Sequence, residues 1–203
     1  MVICAKCLFK RAFGKGKPVK IEPIVRPGYE WVLNGEGEAT EAISGETVIV
    51  ANGKMMRRVA RDDDRAGDET ALEPDPYRRK WRPWVVVDDK HPGDEPYLRA
   101  FNNTPWYRKD GVYIVVGPGF SGNPYGLDDT FLELEGRIKH PDCPRDFEGI
   151  KEYLRTHDIK GIAFRRDGAI GCQILRKDFG FEWPIKEVND AERYYNAALF
   201  RMA

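Results

Sequence analysis

Two cysteines near the N-terminus, Cys4 and Cys7, have the C-x-x-C spacing of a metal-ligand or redox pair. A zinc site would need a second such pair, whereas Cys143 and Cys172 stand far apart in the sequence. A structural metal is therefore the less favoured interpretation. We expect buried or idle thiols in a reducing compartment, and no residue is assigned as a metal ligand.

Two charged runs also invite a functional interpretation. The run Gly14-Lys15-Gly16-Lys17 resembles a phosphate loop, but it lacks the Gly-Lys-Ser/Thr ending that holds phosphate and magnesium. The triplet Asp62-Asp63-Asp64 lies in a segment, residues 61–76, that carries several further acids. Both runs are predicted to be solvated loops.

Basic and aromatic residues alternate between Tyr77 and Trp84. This interleaving suits the backbone of a nucleic acid, with rings available for stacking on bases. The alternative is a surface loop whose tryptophans anchor it to the core, and the sequence favours neither. The candidate RNA contacts in this run are Arg78, Arg79, Lys80 and Arg82.

Two β-hairpins are the clearest local structures. The octet 38–45 leads into the apolar run 47–51, which ends at Asn52-Gly53, so a hairpin is expected over about residues 39–60. A second hairpin is expected from strands over 161–166 and 169–175, joined at Asp167-Gly168. Asn-Gly or Asp-Gly between β-prone runs is a strong short-range hairpin signal.

The remaining pattern contains few helices. Phe147, Ile150 and Leu154 fall on one apolar face of a helix over 146–157, and Asn189 or Asp190 can cap a last helix. Residues 1–28 form a basic, poorly periodic segment, and residues 88–96 a turn-rich loop. Further strands are expected over 29–33, 84–87, 111–116 and 130–134. The sequence therefore predicts an α+β fold with largely antiparallel strands.

The composition is that of a globular protein. The 203 residues are 41% hydrophobic, enough for a single domain with a full core over residues 1–203. A C-terminal helix is expected at residues 185–203. Lysine plus arginine and aspartate plus glutamate each number 33, which argues against coating nucleic acid by bulk charge but permits a local basic groove. No apolar stretch approaches the roughly 18 residues of a membrane span, and no signal peptide is predicted. We expect a cytoplasmic protein without an OB domain.

Several stretches, in the right order, resemble motifs of the covalent nucleotidyltransferases, which are the DNA ligases, RNA ligases and capping enzymes. Gly-Asn-Pro-Tyr at 122–125, Lys-Asp-Phe-Gly at 177–180 and Trp183-Pro184 together are similar to small stand-alone ATP-dependent RNA ligases. The resemblance covers about residues 29–184. The matching stretches are Thr40-Glu41-Ala42-Ile43-Ser44-Gly45, Arg57-Arg58, residues 110–118 with 122–125, residues 158–164, and residues 173–180 with 183–184.

The resemblance implies a nucleotidyltransferase fold, the ATP-grasp-like adenylation domain of ligases. It also implies a reaction in which a motif-one lysine attacks the α-phosphate of ATP. The resulting AMP passes to an RNA 5′-phosphate, and a 3′-hydroxyl then displaces it, as in RNA repair. Such chemistry needs a neutral amine and a divalent metal such as Mg²⁺. ATP, Mg²⁺ and RNA ends are the cofactors and partners so implied, and no protein partner is inferred.

This chain departs from the family at the reactive positions. Ala42 has no lone pair with which to attack, and Ile114 offers no hydrogen-bond acceptor. Lys160 reverses the charge where a metal should bind; it could be a displaced nucleophile, although a static phosphate contact is favoured. The full set is Ala42 for the nucleophilic lysine, Ile114 and Lys160 for the glutamates of motifs three and four, and Gln173 and Leu175 for the two lysines of motif five.

Other positions of the family pattern remain. The resemblance assigns Thr40, Glu41 and Gly45 to the nucleotide site, together with Arg58. Arg176 and Lys177 are candidate RNA contacts, with solvated strand ends as the alternative.

Three functions are compatible with this pattern. A pseudoenzyme, retained as a nucleotide- or RNA-binding module or as a scaffold, explains the several coupled losses best. An active ligase seen as a nucleophile-to-alanine variant explains Ala42 but not the other substitutions. A domain that shares only the fold is the third possibility. We predict that the chain does not form lysyl-AMP and binds ATP weakly or not at all.

Overall fold

The computed structural model describes residues 6–14, 17–59, 65, 84–104 and 109–185. They form two compact units, a five-strand unit of residues 44–135 and a four-strand unit of residues 6–43 with 136–185. Cys4, residues 77–83 of the basic-aromatic run and residues 186–203, where the C-terminal helix is predicted, lie outside the described residues. The assignment of both units to one nucleotidyltransferase domain stays a prediction.

Strands dominate both units. The helices are α1 (Glu30–Leu33), α2 (Glu95–Asn103) and α3 (Phe147–Thr156), and within the described ranges none is long and apolar enough to span a membrane. Short 3-10 turns occupy Pro92–Asp94 and Arg176–Phe179. In chain order the strands are β1 (Lys6–Cys7), β2 (Phe9–Gly14), β3 (Lys17–Val25), β4 (Glu38–Glu41), β5 (Glu46–Ala51), β6 (Lys54–Arg58), β7 (Trp84–Val86), β8 (Gly111–Val116), β9 (Phe131–Leu134), β10 (Gly161–Arg166) and β11 (Ala169–Leu175).

Both predicted hairpins are present. Strands β5 and β6 turn at Asn52 and Gly53, and β10 and β11 turn at Asp167 and Gly168. All four turn residues have φ between 51° and 76°, the left-handed region that tight hairpin turns require. The first hairpin is shorter than expected, because β4 does not extend it and instead pairs antiparallel with β10.

The helix predicted over residues 146–157 is α3. The Asp146 carboxylate accepts a hydrogen bond from the Gly149 backbone N–H at 2.8 Å, which satisfies one of the free donors of the first turn. Ile150 and Leu154 are buried, as the apolar spacing predicted. The strands predicted near residues 84, 111 and 130 correspond to β7, β8 and β9.

The N-terminal segment, for which the sequence predicted no regular element, contains two strands. Residues 9–14 and 17–25 form the two-stranded antiparallel sheet β2–β3. Pro23 is a signal against a strand when the sequence is considered alone. Each strand of such a pair has one edge without a partner strand, and a proline is tolerated at such an edge. Ile21 and Val25 pack against the core of the four-strand unit, so the polar pattern concealed a half-buried hairpin.

Two helices were also missed. Residues predicted as a strand over 29–33 form α1, which is only four residues long and too short for a helical period to be visible. The predicted loop over 88–96 runs into α2, where Pro96 in the first turn is a helix-start signal that went unused. In both helices tertiary packing decides the outcome, because Trp31 in α1 and Tyr97 in α2 are buried in their cores.

Each main sheet packs one face against its own core. The sheet orders are β1-β11-β10-β4 and β7-β6-β5-β8-β9, antiparallel except for the β1–β11 pair. In the four-strand unit Ile162 and Ile174 share a core with Leu154 of α3, and in the five-strand unit Val48 and Val115 share one with α2. Side chains alternate along a strand, so each sheet has a second face. The predicted α+β class with largely antiparallel sheets is confirmed.

Candidate functional site

The face of the four-strand sheet opposite α3 collects most of the predicted catalytic positions. Ala163 of β10 lies directly across from Gln173 of β11 and Thr40 of β4, and paired residues share a face. Leu175 follows Gln173 by two residues, and Ala42 follows Thr40 by two. The structure thus brings Ala42, Gln173 and Leu175 to one surface, although they come from distant parts of the sequence.

At positions 42 and 175 this surface is apolar, whereas the family would be charged there. Ala42, Ala163 and Leu175 form a hydrophobic cluster, with exposed fractions of 8%, 2% and 6%, and Ile170 packs against it. The Ala42 backbone N–H donates to the Gly161 carbonyl at 2.9 Å, which fixes residue 42 beside β10. Methyl and isobutyl groups cannot attack phosphorus or bind a phosphate oxygen, so the cluster itself has no group-transfer chemistry.

Lys160 supplies an amine next to this cluster. Its Nζ donates to the Ile43 carbonyl at 3.4 Å, so the half-buried side chain reaches the loop that carries Ala42. Burial, and to a smaller extent the charge of Lys177, lower the pKa of Lys160. The cation therefore stands where a metal-binding carboxylate was expected from the family.

The predicted nucleotide-site residues Thr40 and Glu41 are engaged within the four-strand unit. The Thr40 hydroxyl donates to the Ala163 carbonyl at 3.1 Å, and the Glu41 backbone N–H donates to the Ile138 carbonyl at 2.9 Å. Strand alternation sends the Glu41 carboxylate to the α3 side, where it lies 3.6 Å from His140 Nε2. These contacts give Thr40 and Glu41 structural roles.

The five-strand sheet holds the other substituted position. Ile114 of β8 lies between Thr47 of β5 and Glu133 of β9, on the face opposite α2. Glu133 is buried, with 2% of its surface exposed, and sequence reasoning missed it. An acid inside the short β-prone run 131–134 was the available signal. The carboxylate absent at position 114 thus has a counterpart on the adjacent strand.

The two arginines of the basic motif, Arg57 and Arg58, point to opposite faces of the five-strand sheet. Arg58 stacks over the Trp84 ring, with 4.6 Å from the guanidinium carbon to the ring centre. Arg57 lies on the core face and bonds the buried Asp94 through Nε at 2.6 Å. Arg58 alone of the pair therefore shares the sheet face of Ile114.

Asp88, His91 and Asp94 form a close group that could be mistaken for a metal site, because their potential ligand atoms all lie within 4.8 Å of one another. Asp94 is fully buried between Arg57 and Arg65, and Asp88 Oδ1 lies 2.8 Å from His91 Nδ1. Burial would raise the pKa of Asp94, but hydrogen bonds from Arg65 and Arg57 outweigh it and lower that pKa. Two guanidinium groups already balance this carboxylate, so a divalent cation is disfavoured.

Framework residues of the motifs have structural reasons to persist. A Cβ on Gly45 would lie 2.6 Å from Ile114 Cγ2 and closer still to the Val115 carbonyl oxygen, so only glycine lets the chain pass β8 here. The Tyr125 hydroxyl accepts a hydrogen bond from the Ser44 backbone N–H at 2.8 Å. Asn123 closes its own loop by bonding Leu127 through both amide atoms. All these contacts lie within the five-strand unit.

The two candidate RNA contacts after β11 differ in exposure. Arg176 is buried and donates to the carbonyls of Glu182, His157 and Leu154, with 2.8 Å to each of the first two. An RNA contact does not fit this side chain, which instead ties the end of α3 to the following 3-10 turn. Lys177 is exposed. Arg78, Arg79, Lys80 and Arg82 lie outside the described residues.

The three described cysteines are reduced and buried. Burial raises the pKa of Cys143 to about 11, and burial with the nearby Cys7 raises the pKa of Cys172 to about 12, so both remain thiols at neutral pH. Cys7 and Cys172 lie on the paired strands β1 and β11. These are properties of core residues.

No protein-family model matches the sequence, and no curated protein matches it either. The ligase resemblance therefore stays a hypothesis carried by the motifs and by the residues that the structure groups together.

Proposed function

We propose that the protein is an RNA-ligase-like member of the nucleotidyltransferases that has lost lysyl-AMP formation and acts as a binding module for nucleotides or RNA ends. The observation that carries this proposal is the apolar cluster of Ala42, Ala163 and Leu175. Within the cluster, Ala42 stands at the motif-one position and Leu175 at a motif-five position, so the nucleophile and a phosphate-binding lysine are both replaced by packed hydrocarbon.

The two positions at which the family carries its motif-three and motif-four carboxylates do not supply a metal ligand in this chain. Ile114 and Lys160 occupy the positions of the two expected carboxylates, and a half-buried ammonium repels Mg²⁺. We derive no reaction step through Mg²⁺ in this chain. ATP, which the family binds with the metal, is accordingly expected to bind weakly.

The pattern of retained residues supports the same proposal. Gly45, Asn123 and Tyr125 belong to the family motifs, and each has a packing or hydrogen-bonding role in the five-strand unit. A protein under selection for folding and binding, but not for catalysis, keeps such residues and loses the reactive ones. An active ligase represented by a single nucleophile-to-alanine variant would have no reason to pack Leu175 against Ala42.

The proposal is tested by exposing the chain to ATP labelled at the α-phosphate, with Mg²⁺, and looking for a covalent protein–AMP band. We expect no band from the chain itself. A companion variant that carries Ala42→Lys, Ile114→Glu, Lys160→Glu, Gln173→Lys and Leu175→Lys should gain the band if it folds, as monitored by circular dichroism. A band from the unchanged chain would overturn the proposal, and a folded but unlabelled companion would count against ligase ancestry.

A further inference from the structure

The sequence contains two Asn-Gly pairs, Asn34-Gly35 and Asn52-Gly53, and all four residues are exposed. An asparagine carboxamide reacts most readily with the next backbone nitrogen when glycine follows, because glycine has no Cβ to block the approach. Neither glycine is crowded, since a Cβ on Gly35 or on Gly53 would meet no described residue within 4 Å. Sequence and exposure therefore do not separate the two pairs.

The backbone N–H of the glycine does separate them. Gly35 follows the C-terminal end of α1, and its N–H donates to the Val32 carbonyl at 3.0 Å. Gly53 lies at the tip of the β5–β6 hairpin, beyond the last residues that pair across it. The Gly53 N–H makes no hydrogen bond to any of the described residues. Of the two pairs, Asn52-Gly53 is thus the one in which the attacking nitrogen is not engaged by the described residues.

The hairpin tip is held from one side. The Asn52 backbone N–H donates to the Asp110 carboxylate at 2.8 Å, and Asn52 and Gly53 have φ of 51° and 72°. Within the described ranges, no hydrogen bond engages the Asn52 carboxamide. The fold therefore fixes the backbone that enters the turn and leaves the two reacting groups open to solvent.

We propose that Asn52 is a site of spontaneous deamidation, at which the side chain is converted into a mixture of aspartate and isoaspartate. The Gly53 nitrogen gives its proton to water and bonds to Asn52 Cγ, while the bond from Cγ to the amide nitrogen breaks and ammonia leaves. Water then opens the cyclic imide. Attack at Cγ yields aspartate, and attack at the backbone carbonyl carbon yields isoaspartate. This reaction needs no nucleotide, RNA or metal, so it is independent of the proposed function.

The products change the hairpin that they are formed in. Either one places a carboxylate beside Asp110, whose own carboxylate already accepts the residue-52 N–H. Isoaspartate also routes the backbone through Cβ, which adds one carbon to a turn whose two-residue geometry sets the pairing of its strands. Strand β5 is the central strand of the five-strand sheet, so we expect isoaspartate at position 52 to lower the stability of that unit.

The test incubates the unchanged chain at mildly alkaline pH, in native buffer and separately in urea, and follows both Asn-Gly peptides by mass spectrometry. In native buffer we expect Asn52 to deamidate about fivefold faster than Asn34, because a hydrogen bond of ordinary strength must first break at Gly35. In urea the two rates should converge, because the unfolded chain restrains neither nitrogen. The Asn34-Gly35 pair is thus an internal control.

A second measurement separates the two products. The variant Asn52→Asp carries the added charge on a normal backbone, so aged protein with isoaspartate at position 52 should unfold at a lower urea concentration than this variant. Equal unfolding would overturn the expected effect on the hairpin. The proposed site itself is overturned if Asn52 and Asn34 react equally fast in native buffer, if Asn52 reacts only in urea, or if the difference in rate persists in urea.

Discussion

Lys160 is the residue whose chemistry departs furthest from expectation, because a cation occupies a position where the family has a carboxylate. Its Nζ reaches the carbonyl next to Ala42, and its pKa is lowered by burial and by Lys177. A lysine whose pKa is lower in the folded than in the unfolded state destabilises the fold while it is protonated. Stability then rises with pH between the folded pKa and the unfolded value near 10.4.

Lys160→Met should therefore stabilise the unliganded protein at pH 7, because it removes an uncompensated charge and keeps the length of the side chain. The advantage should shrink as the pH approaches about 10.4, where the wild-type lysine becomes neutral in both states. Urea unfolding at the two pH values measures it. Lys151→Met should show no comparable pH-dependent gain, and a Lys160→Met protein that is less stable at pH 7 would contradict the account.

Sequence reasoning could predict which residues of the site are unusual but not which way they point. Ala42, Gln173 and Leu175 were identified from the motifs, and the structure groups them on one face. Glu41 and Arg57 turn out to point to the core faces instead, because each follows or precedes a site residue by one position on a strand. Glu133 was missed because its position opposite Ile114 depends on the pairing of β8 with β9. Residues 117–130 separate these two strands in the sequence, so the pairing is not visible as a local pattern.

At the scale of elements, the passage of the chain beside β8 depends on Gly45. Gly45→Ala should destabilise the protein by about 1–3 kcal/mol, the range for overpacking. The reason is that the new Cβ would overlap the backbone carbonyl of Val115, which is held in strand β8. Chemical denaturation measures the loss. Gly93→Ala is the control within the same unit, since its Cβ would meet Arg57 at an ordinary 3.6 Å. Equal stabilities of the two variants would show that Gly45 is not constrained by packing.

The junction between α3 and the 3-10 turn at Arg176–Phe179 depends on one buried guanidinium. Arg176→Ala leaves the carbonyls of Glu182, His157 and Leu154 without their donor and should cost about 2–4 kcal/mol of folding free energy. Thermal unfolding measures the effect. Lys177→Ala, one residue further on and exposed, should stay within about 0.5 kcal/mol of wild type. A tolerant Arg176→Ala variant would restore the possibility that this arginine serves a ligand.

Short-range sequence signals predicted the elements whose geometry depends only on residues close by in the chain. The Asn52-Gly53 and Asp167-Gly168 turns and the Asp146 cap each contain their own geometric reason, and all three appear in the structure. The elements that were missed depend on distant partners. Helix α1 exists because Trp31 and Val32 enter a core built from β10, β11 and α3, and the β2–β3 hairpin packs on that same core.

At the scale of the whole molecule, the zero net charge limits how nucleic acid can be held. With 33 basic and 33 acidic residues, any RNA binding must come from a few local cations rather than from a general positive field. We therefore expect binding of 5′-phosphorylated RNA to depend weakly on salt. The slope of log K against log salt should be no steeper than about −2, and Lys177→Met should reduce it by about 0.7. A slope near −5 would instead indicate an extended basic surface.

Both units share one principle of construction. Each has an antiparallel-rich sheet with a helix-covered core face, and on its other face each carries positions where the ligase family places reactive groups. Those positions now hold hydrocarbon at Ala42, Leu175 and Ile114 and a cation at Lys160. The framework contacts of Gly45 and Tyr125 persist. Under the proposed function, each unit is a ligase-like scaffold in which the reactive positions have been replaced.

The most direct test of that claim is to restore Ala42→Lys alone and to look for covalent AMP with α-labelled ATP and Mg²⁺. We predict a folded, unlabelled protein. The reason is that Ile114, Lys160, Gln173 and Leu175 still do not supply the ligands for Mg²⁺ and for the α-phosphate of ATP that the reaction needs. A labelled protein would contradict it. In that case the pocket would be otherwise intact, and the chain would be a ligase disarmed by one residue.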